Sequence, residues 1–222
     1  MFKVNNIFES ISGEAGGFPQ GTWMTGIRLQ ACNLRCRWCD TPQAQERDDI
    51  CYEMELPAIL KMVRNKHVLI TGGEPLLQKE LPLLIKELQE GGHVIQVETN
   101  GSYPPLSIPQ VHWVIDRKCP SSGMSGNMMP LKALCKKIEE AKTKGGFVYL
   151  KWVVFDKKDV DFMLQEMEHF IHWKCNIPCI VSPIDADINK IPEIVERIKE
   201  SNYFLLDHII FSFQLHKILK MP

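Results

Sequence analysis

No apolar run in this sequence reaches the roughly 18 residues expected of a membrane-spanning helix. The first residues, Met1-Phe2-Lys3-Val4-Asn5-Asn6, have neither the apolar stretch nor the cleavage site of a secretory leader. The first absence argues against a membrane partner, and the second predicts a cytoplasmic location. Charge of one sign is also missing, because 26 Lys and Arg stand against 27 Asp and Glu. The chain therefore lacks the electrostatic footprint of a nucleic-acid-binding protein. Low-complexity tracts, internal repeats and long linkers are absent as well. The 222 residues, 45% hydrophobic and 24% charged, read as one domain over 1–222, long enough to bury a core without disulfide staples.

What the sequence does have is short apolar runs alternating with helical patterns. Strands are predicted at 23–29, 67–70, 94–97, 113–115, 147–154 and 178–181, with a seventh run at 209–213. Helices are predicted at 56–65, 77–90, 131–144, 160–173 and 191–200. Repeated strand–helix alternation implies an α/β fold with mainly parallel strands. The units are too few for a closed eight-stranded barrel, so a partial, open (βα)6-type barrel is expected. Polar residues collect just past the strand ends: Cys32, Thr71 to Pro75, Glu98 to Gly101, Asp116 to Lys118, and Ser182-Pro183. Ligands bind at that end of α/β sheets.

Eight cysteines in a reducing compartment are expected to be thiols or metal ligands. Three of them, Cys32, Cys36 and Cys39, are spaced C-x-x-x-C-x-x-C. A loop of that length can wrap a cubane and offer one thiolate to each of three irons. Four-iron clusters usually take four thiolates, so three would leave one iron open to a substrate or cofactor. The same spacing admits a zinc site completed by His67 or His93, or three buried thiols. Spacing favours a metal site, and iron–sulfur over zinc. Cys51, Cys119 and Cys135 are scattered. Cys175 and Cys179 admit a second cluster with Cys119, but read better as free thiols.

The cysteine motif together with Thr71-Gly72-Gly73-Glu74-Pro75 resembles the radical S-adenosylmethionine (SAM) superfamily. Over nearly the whole chain the sequence is similar, more narrowly, to the 7-carboxy-7-deazaguanine synthase family. Ile11-Ser12-Gly13-Glu14 and Arg28 match family positions that contact a pterin substrate, although the family usually has Gln where this chain has Ser12. Thr41, after Cys39-Asp40, matches a Mg²⁺ ligand, and an Asp-Thr-Pro helix cap is the plainer reading of those residues. Trp38, Asp40 and Gly73 match SAM-binding positions, and Thr71 a substrate contact. Glu98 is expected to bond the SAM ribose or the substrate. Asp116-Arg117-Lys118 falls where the family usually has Ser-Pro-Lys, so only Lys118 is a close match among these SAM contacts. Ser182-Pro183 aligns with a further SAM-binding segment. His216 and the terminal Pro222 match residues that close the substrate pocket, so the C-terminal tail is expected to cover it. A surface position on a short helix is the plainer reading of His216.

The resemblance implies a carbon–nitrogen lyase. It would use a 4Fe-4S cluster, SAM and Mg²⁺ to contract 6-carboxy-5,6,7,8-tetrahydropterin to 7-carboxy-7-deazaguanine with loss of ammonia, a step in queuosine-type deazapurine synthesis. It also implies a flavodoxin-type one-electron donor and a homodimer. Two alternatives stand beside it: an activating enzyme that installs a glycyl radical on a protein substrate, and a non-catalytic zinc module.

Overall fold

The structure is a computed structural model that describes residues 1–46, 51–201 and 208–221. The expectation for Pro222 therefore lies outside the described residues. One nine-stranded sheet organises the chain: β1 (Phe2–Ile11), β2 (Trp23–Leu29), β3 (Tyr52–Met54), β4 (His67–Gly72), β5 (Val94–Thr99), β6 (Val111–Asp116), β7 (Phe147–Val154), β8 (Cys179–Pro183) and β9 (Ile209–Phe211). The spatial order is β3-β1-β2-β4-β5-β6-β7-β8-β9. From β2 through β9 the neighbours are parallel, whereas β1 pairs antiparallel with both β2 and β3. The two edge strands do not pair with each other, so the barrel is partial and open, as expected.

Among the described residues five crossover helices cover the outside: α1 (Leu56–Met62), α2 (Leu81–Glu90), α3 (Leu131–Thr143), α4 (Lys157–His172) and α5 (Ile191–Lys199). The β5–β6 connection has none, which departs from a strict six-unit barrel. A short helix, α6 (Leu215–Ile218), follows β9. Strand β1 was not anticipated. Its polar centre, Asn5-Asn6, sits at a register shift between Val4 and Asn6. Helix α1 also ends earlier than expected. The backbone N–H groups of Arg64 and Asn65 are drawn off to the Thr25 hydroxyl, both at 3.2 Å.

Alternation along the strands explains where the site lies. Ile27, Ile70, Val97, Trp113, Leu150 and Val181 point outward into the buried core under the helices. The intervening residues face inward; Arg28, Thr71, Glu98, Asp116 and Lys151 among them are polar, and Met24, Leu69 and Val153 are apolar. Parallel pairing sets them side by side, Arg28 opposite Thr71 and Asp116 opposite Lys151. A strand with one apolar and one polar face, repeated around a curved sheet, leaves a polar hollow at its centre.

Candidate active site

That hollow is a cavity of about 190 Å³ at the carboxyl ends of the strands. Cys32, Cys36 and Cys39 line one side of it, all three free thiols and only partly buried. The loop that carries them starts with strain, since Ala31 has φ of 82°, a region a residue with a Cβ rarely occupies. Cys32 Sγ accepts two N–H donors, from the Leu34 backbone at 3.4 Å and from Asn100 Nδ2 at 3.6 Å. Burial pushes the Cys36 thiol up, against the pull of Lys118.

The Gly72-Gly73 pair ends β4 directly beneath this loop. Gly72 has φ of 139°, and a Cβ there would overlap the Leu29 carbonyl. At Gly73 a Cβ would overlap the Ala31 carbonyl oxygen and lie 2.5 Å from that of Ala44. The close approach that requires glycine is therefore made to the cysteine loop itself. Backbone bonds pin the contact, Gly73 N to Leu29 O at 3.0 Å and Glu74 N to Ala31 O at 2.8 Å. Glu74, the acidic residue of the Gly-Gly-Glu-Pro motif, is fully buried. Its carboxylate accepts from Leu76 N, Thr99 Oγ1 and Asn100 N. Burial raises it to about 6 in spite of those donors.

The floor is a ladder of charge. Lys151 donates to Glu14 and lies 3.5 Å from Asp116, which pairs with Lys118 at 2.5 Å. Gln214 Nε2 completes Glu14 at 2.7 Å. Burial alone would discharge Asp116, Lys118 and Lys151, but each neighbour's opposite charge outweighs it. Asp116 is held below the usual carboxylate range and both lysines above theirs. Glu98 differs. Burial dominates and lifts it from 4.5 to about 7, against the pull of Lys151. It accepts from Gln96 Nε2 at 3.1 Å and from Thr71 Oγ1 at 3.4 Å. Arg28 reaches into the same space with its guanidinium 4.8 Å from the Phe8 ring centre.

The C-terminal segment closes one wall. Leu215 N bonds to Gly13 O at 2.9 Å, and Gln20 Nε2 bonds to both Gly13 O and Phe213 O. A Cβ on Gly13 would overlap the His216 ring, so the glycine is what lets the two segments meet. His216 lines the cavity, and burial lowers its affinity for a proton although Glu14 and Asp40 oppose this. Lys217 Nζ reaches Asp40 at 3.3 Å and Asp185 at 3.4 Å.

Most of the residues singled out in the sequence meet at this cavity: Ser12, Gly13, Glu14, Arg28, the three cysteines, Trp38, Asp40, Thr41, Thr71, Gly73, Glu98, Asp116, Lys118 and His216. Four do not. Ile11 is buried without lining it. Arg117 is turned outward and buried in a two-pronged ion pair with Glu166, at 3.0 and 2.5 Å, which Trp152 Nε1 joins at 2.9 Å. Adjacent strand residues face opposite sides, so Asp116 and Arg117 could not both point in. Ser182 and Pro183 are buried without lining it, whereas the next two residues, Ile184 and Asp185, do line it. Lys151 and Gln214 were missed. The signal for Lys151 is a lone charge inside the apolar run of β7.

The arrangement fits a 4Fe-4S cluster with SAM beside it. Three free thiols share one cavity, and one of them already receives the N–H donors that a thiolate sulfur attracts. The adjoining wall carries both signs of charge, as a ligand with a sulfonium, an ammonium and a carboxylate requires. Among the described residues no three His, Cys, Asp or Glu side chains, those of the cysteine loop included, are gathered tightly around one point. No helix among them is long and apolar enough to cross a membrane.

A family model, "Radical SAM superfamily", matches residues 27–110. The 7-carboxy-7-deazaguanine synthase of Clostridium acetobutylicum is 31% identical over 100% of this chain and 97% of its own length. That of Koribacter versatilis is 34% identical over 72% of this chain and 68% of its own. That of Methanospirillum hungatei is 39% identical over 60% of this chain, and there the match spans little more than half of the relative, 56%. Among solved structures, QueE from Escherichia coli superposes with a TM-score of 0.66 over 95% of this chain and 92% of its own, at 19% identity, which supports the fold. With near-complete coverage in sequence and three thiols at the mouth of a partial barrel, the chain belongs to the 7-carboxy-7-deazaguanine synthase family of radical SAM enzymes.

Proposed function

We infer that this protein converts 6-carboxy-5,6,7,8-tetrahydropterin to 7-carboxy-7-deazaguanine with release of ammonia. The observation that carries the reading is one cavity that joins the three thiols to a wall of fixed charges, in a chain matched end to end by a synthase of that name. The cluster and SAM, when bound, supply a 5′-deoxyadenosyl radical able to remove a hydrogen atom from the pterin. The change from substrate to product plus ammonia involves no net oxidation, so that hydrogen would be returned and SAM would be reused.

The protein's own part is to hold and to exclude. Arg28 offers a planar guanidinium to the substrate carboxylate. Thr71, Glu98 and the Ser12 to Glu14 segment bound the pterin, and His216 shuts the mouth. Trp38, Asp40, Gly73, Asp116 and Lys118 face SAM. Thr41 presents a hydroxyl beside Asp40, 3.0 Å from Oδ1, and would supply one oxygen ligand to a bound Mg²⁺. Shutting the cavity matters because a primary alkyl radical attacks nearly any C–H bond it meets. The reductant is a flavodoxin-type donor, and the working unit is a cytoplasmic homodimer.

The test is an anaerobic assay with SAM, dithionite, Mg²⁺ and the carboxylated tetrahydropterin, read by mass spectrometry. Product and ammonia in more than one equivalent per SAM are expected. A cluster-loaded protein that cleaves SAM but leaves this pterin untouched would overturn the substrate assignment. Thr41→Ala should blunt the Mg²⁺ response and spare the cluster. An unchanged Mg²⁺ dependence would remove Thr41 from the metal site.

A further inference from the structure

We propose that Asn100 tunes the reduction potential of the cluster by donating a hydrogen bond to the thiolate of Cys32. The proposal rests on the reading of Cys32 as a cluster ligand.

The orientation of the Asn100 amide is settled by its partners. Oδ1 accepts from the Ser102 backbone N–H at 3.0 Å and from the Ser102 hydroxyl at 2.6 Å. A backbone N–H can only donate, so the oxygen must lie on that side. The NH₂ group then faces the other way. It donates to Asn33 Oδ1 at 2.9 Å and to Cys32 Sγ at 3.6 Å.

The residue is also held rigidly. Asn100 is 7% exposed. Its backbone N–H is clamped at 2.7 Å by the buried carboxylate of Glu74, which takes the Thr99 hydroxyl on its other oxygen at 2.8 Å. The next residue, Gly101, has φ of 78°, and a Cβ there would overlap the Asp116 carbonyl. The strand end of β6 thus fixes the far side of the same turn. Nothing in this set needs to move for the amide to keep facing the sulfur.

An N–H dipole aimed at a cluster thiolate lowers its negative charge. Reducing the cluster from the 2+ to the 1+ state adds one electron, taken from the external reductant, and makes that charge worse. The dipole therefore stabilises the reduced state more than the oxidised one and raises the potential. Because it acts through Cys32, Asn100 is a positioning residue, and its signature is a potential rather than a rate.

The experiment is a redox titration of the reconstituted, SAM-free cluster, followed by electron paramagnetic resonance. It compares the native protein with Asn100→Leu, Asn100→Asp and Ser102→Ala. Both Asn100 variants should be harder to reduce. The reduced-to-oxidised ratio at a fixed applied potential should fall about tenfold, which is 59 mV for a one-electron couple. Ser102→Ala keeps the backbone donor that orients the amide and should stay near the native midpoint. Loaded Asn100 variants with the native midpoint would overturn the proposal, as would a Ser102→Ala shift equal to theirs. So would failure of both Asn100 variants to load a cluster, which would make the residue an assembly requirement instead. A native protein that gives no cubane signal at all would overturn the reading of the three thiols, a separate result.

Discussion

Replacing Lys151 with Met removes the cation from the centre of the cavity floor. Lys151 is 7% exposed and Glu14 is 8% exposed, and they are in direct contact. After the change Asp116 keeps Lys118 at 2.5 Å, but Glu14 keeps only the neutral Gln214 amide at 2.7 Å. Removing one partner of a buried ion pair costs about 3–5 kcal/mol, because the other charge is left without compensation. For a domain of this size each kcal/mol lowers the melting temperature by about 2–4 °C, so Lys151→Met should melt roughly 6–20 °C lower. The double variant Lys151→Met/Glu14→Gln removes both charges and should recover most of that loss. Calorimetry of cluster-loaded protein at pH 7 under anaerobic conditions measures all three. A loss under about 1 kcal/mol, or a double variant no better than the single, would refute the reasoning that this pair is desolvated and mutually dependent.

Arg117→Met strands Glu166 in the same way, with Trp152 as its remaining donor. It should cost about 3–5 kcal/mol in chemical denaturation while leaving SAM binding unchanged, whereas weakened SAM binding with native stability would restore Arg117 to the cavity. Gly73→Ala forces a Cβ against two backbone carbonyls of the cysteine loop, so cluster content after reconstitution should drop severalfold; full loading would show that the loop can yield. Glu98 is raised from 4.5 to about 7, so between those values the folded state binds the proton more tightly than the unfolded one. The stability this gives is complete below about 4.5 and is lost as the pH rises through about 7. Glu98→Gln should flatten that fall in urea midpoints measured from pH 5 to 8, and an unchanged slope would assign it elsewhere.

The fold, the three cysteines and the polar strand ends were legible in local pattern, whereas Arg28, Thr41, Thr71 and His216 were singled out by the family resemblance. Short strands such as 147–154 announce themselves by apolar runs, and the chemistry follows them at their carboxyl ends. The cysteine spacing and the Gly-Gly turn are contiguous, so a linear reading finds them. What escaped depends on three-dimensional neighbours. Strand β1 is specified by pairing with β2 and β3 and not by its own composition. Lys151 belongs to the site only because β7 faces Glu14 from a loop 137 residues away. Arg117 was misplaced because a contiguous tripeptide was carried over whole, although alternation sends its middle residue to the opposite face. Gly73 was expected to face SAM, and the nearest obstacle to a side chain there is the backbone of the cysteine loop.

Mössbauer spectroscopy of the ⁵⁷Fe-reconstituted protein, with and without SAM, tests the central claim most directly. Three cysteines holding a cubane predict one iron of the four whose parameters change when SAM binds, while the other three keep theirs. Four irons indifferent to SAM, or a colourless protein carrying a single zinc, would contradict it.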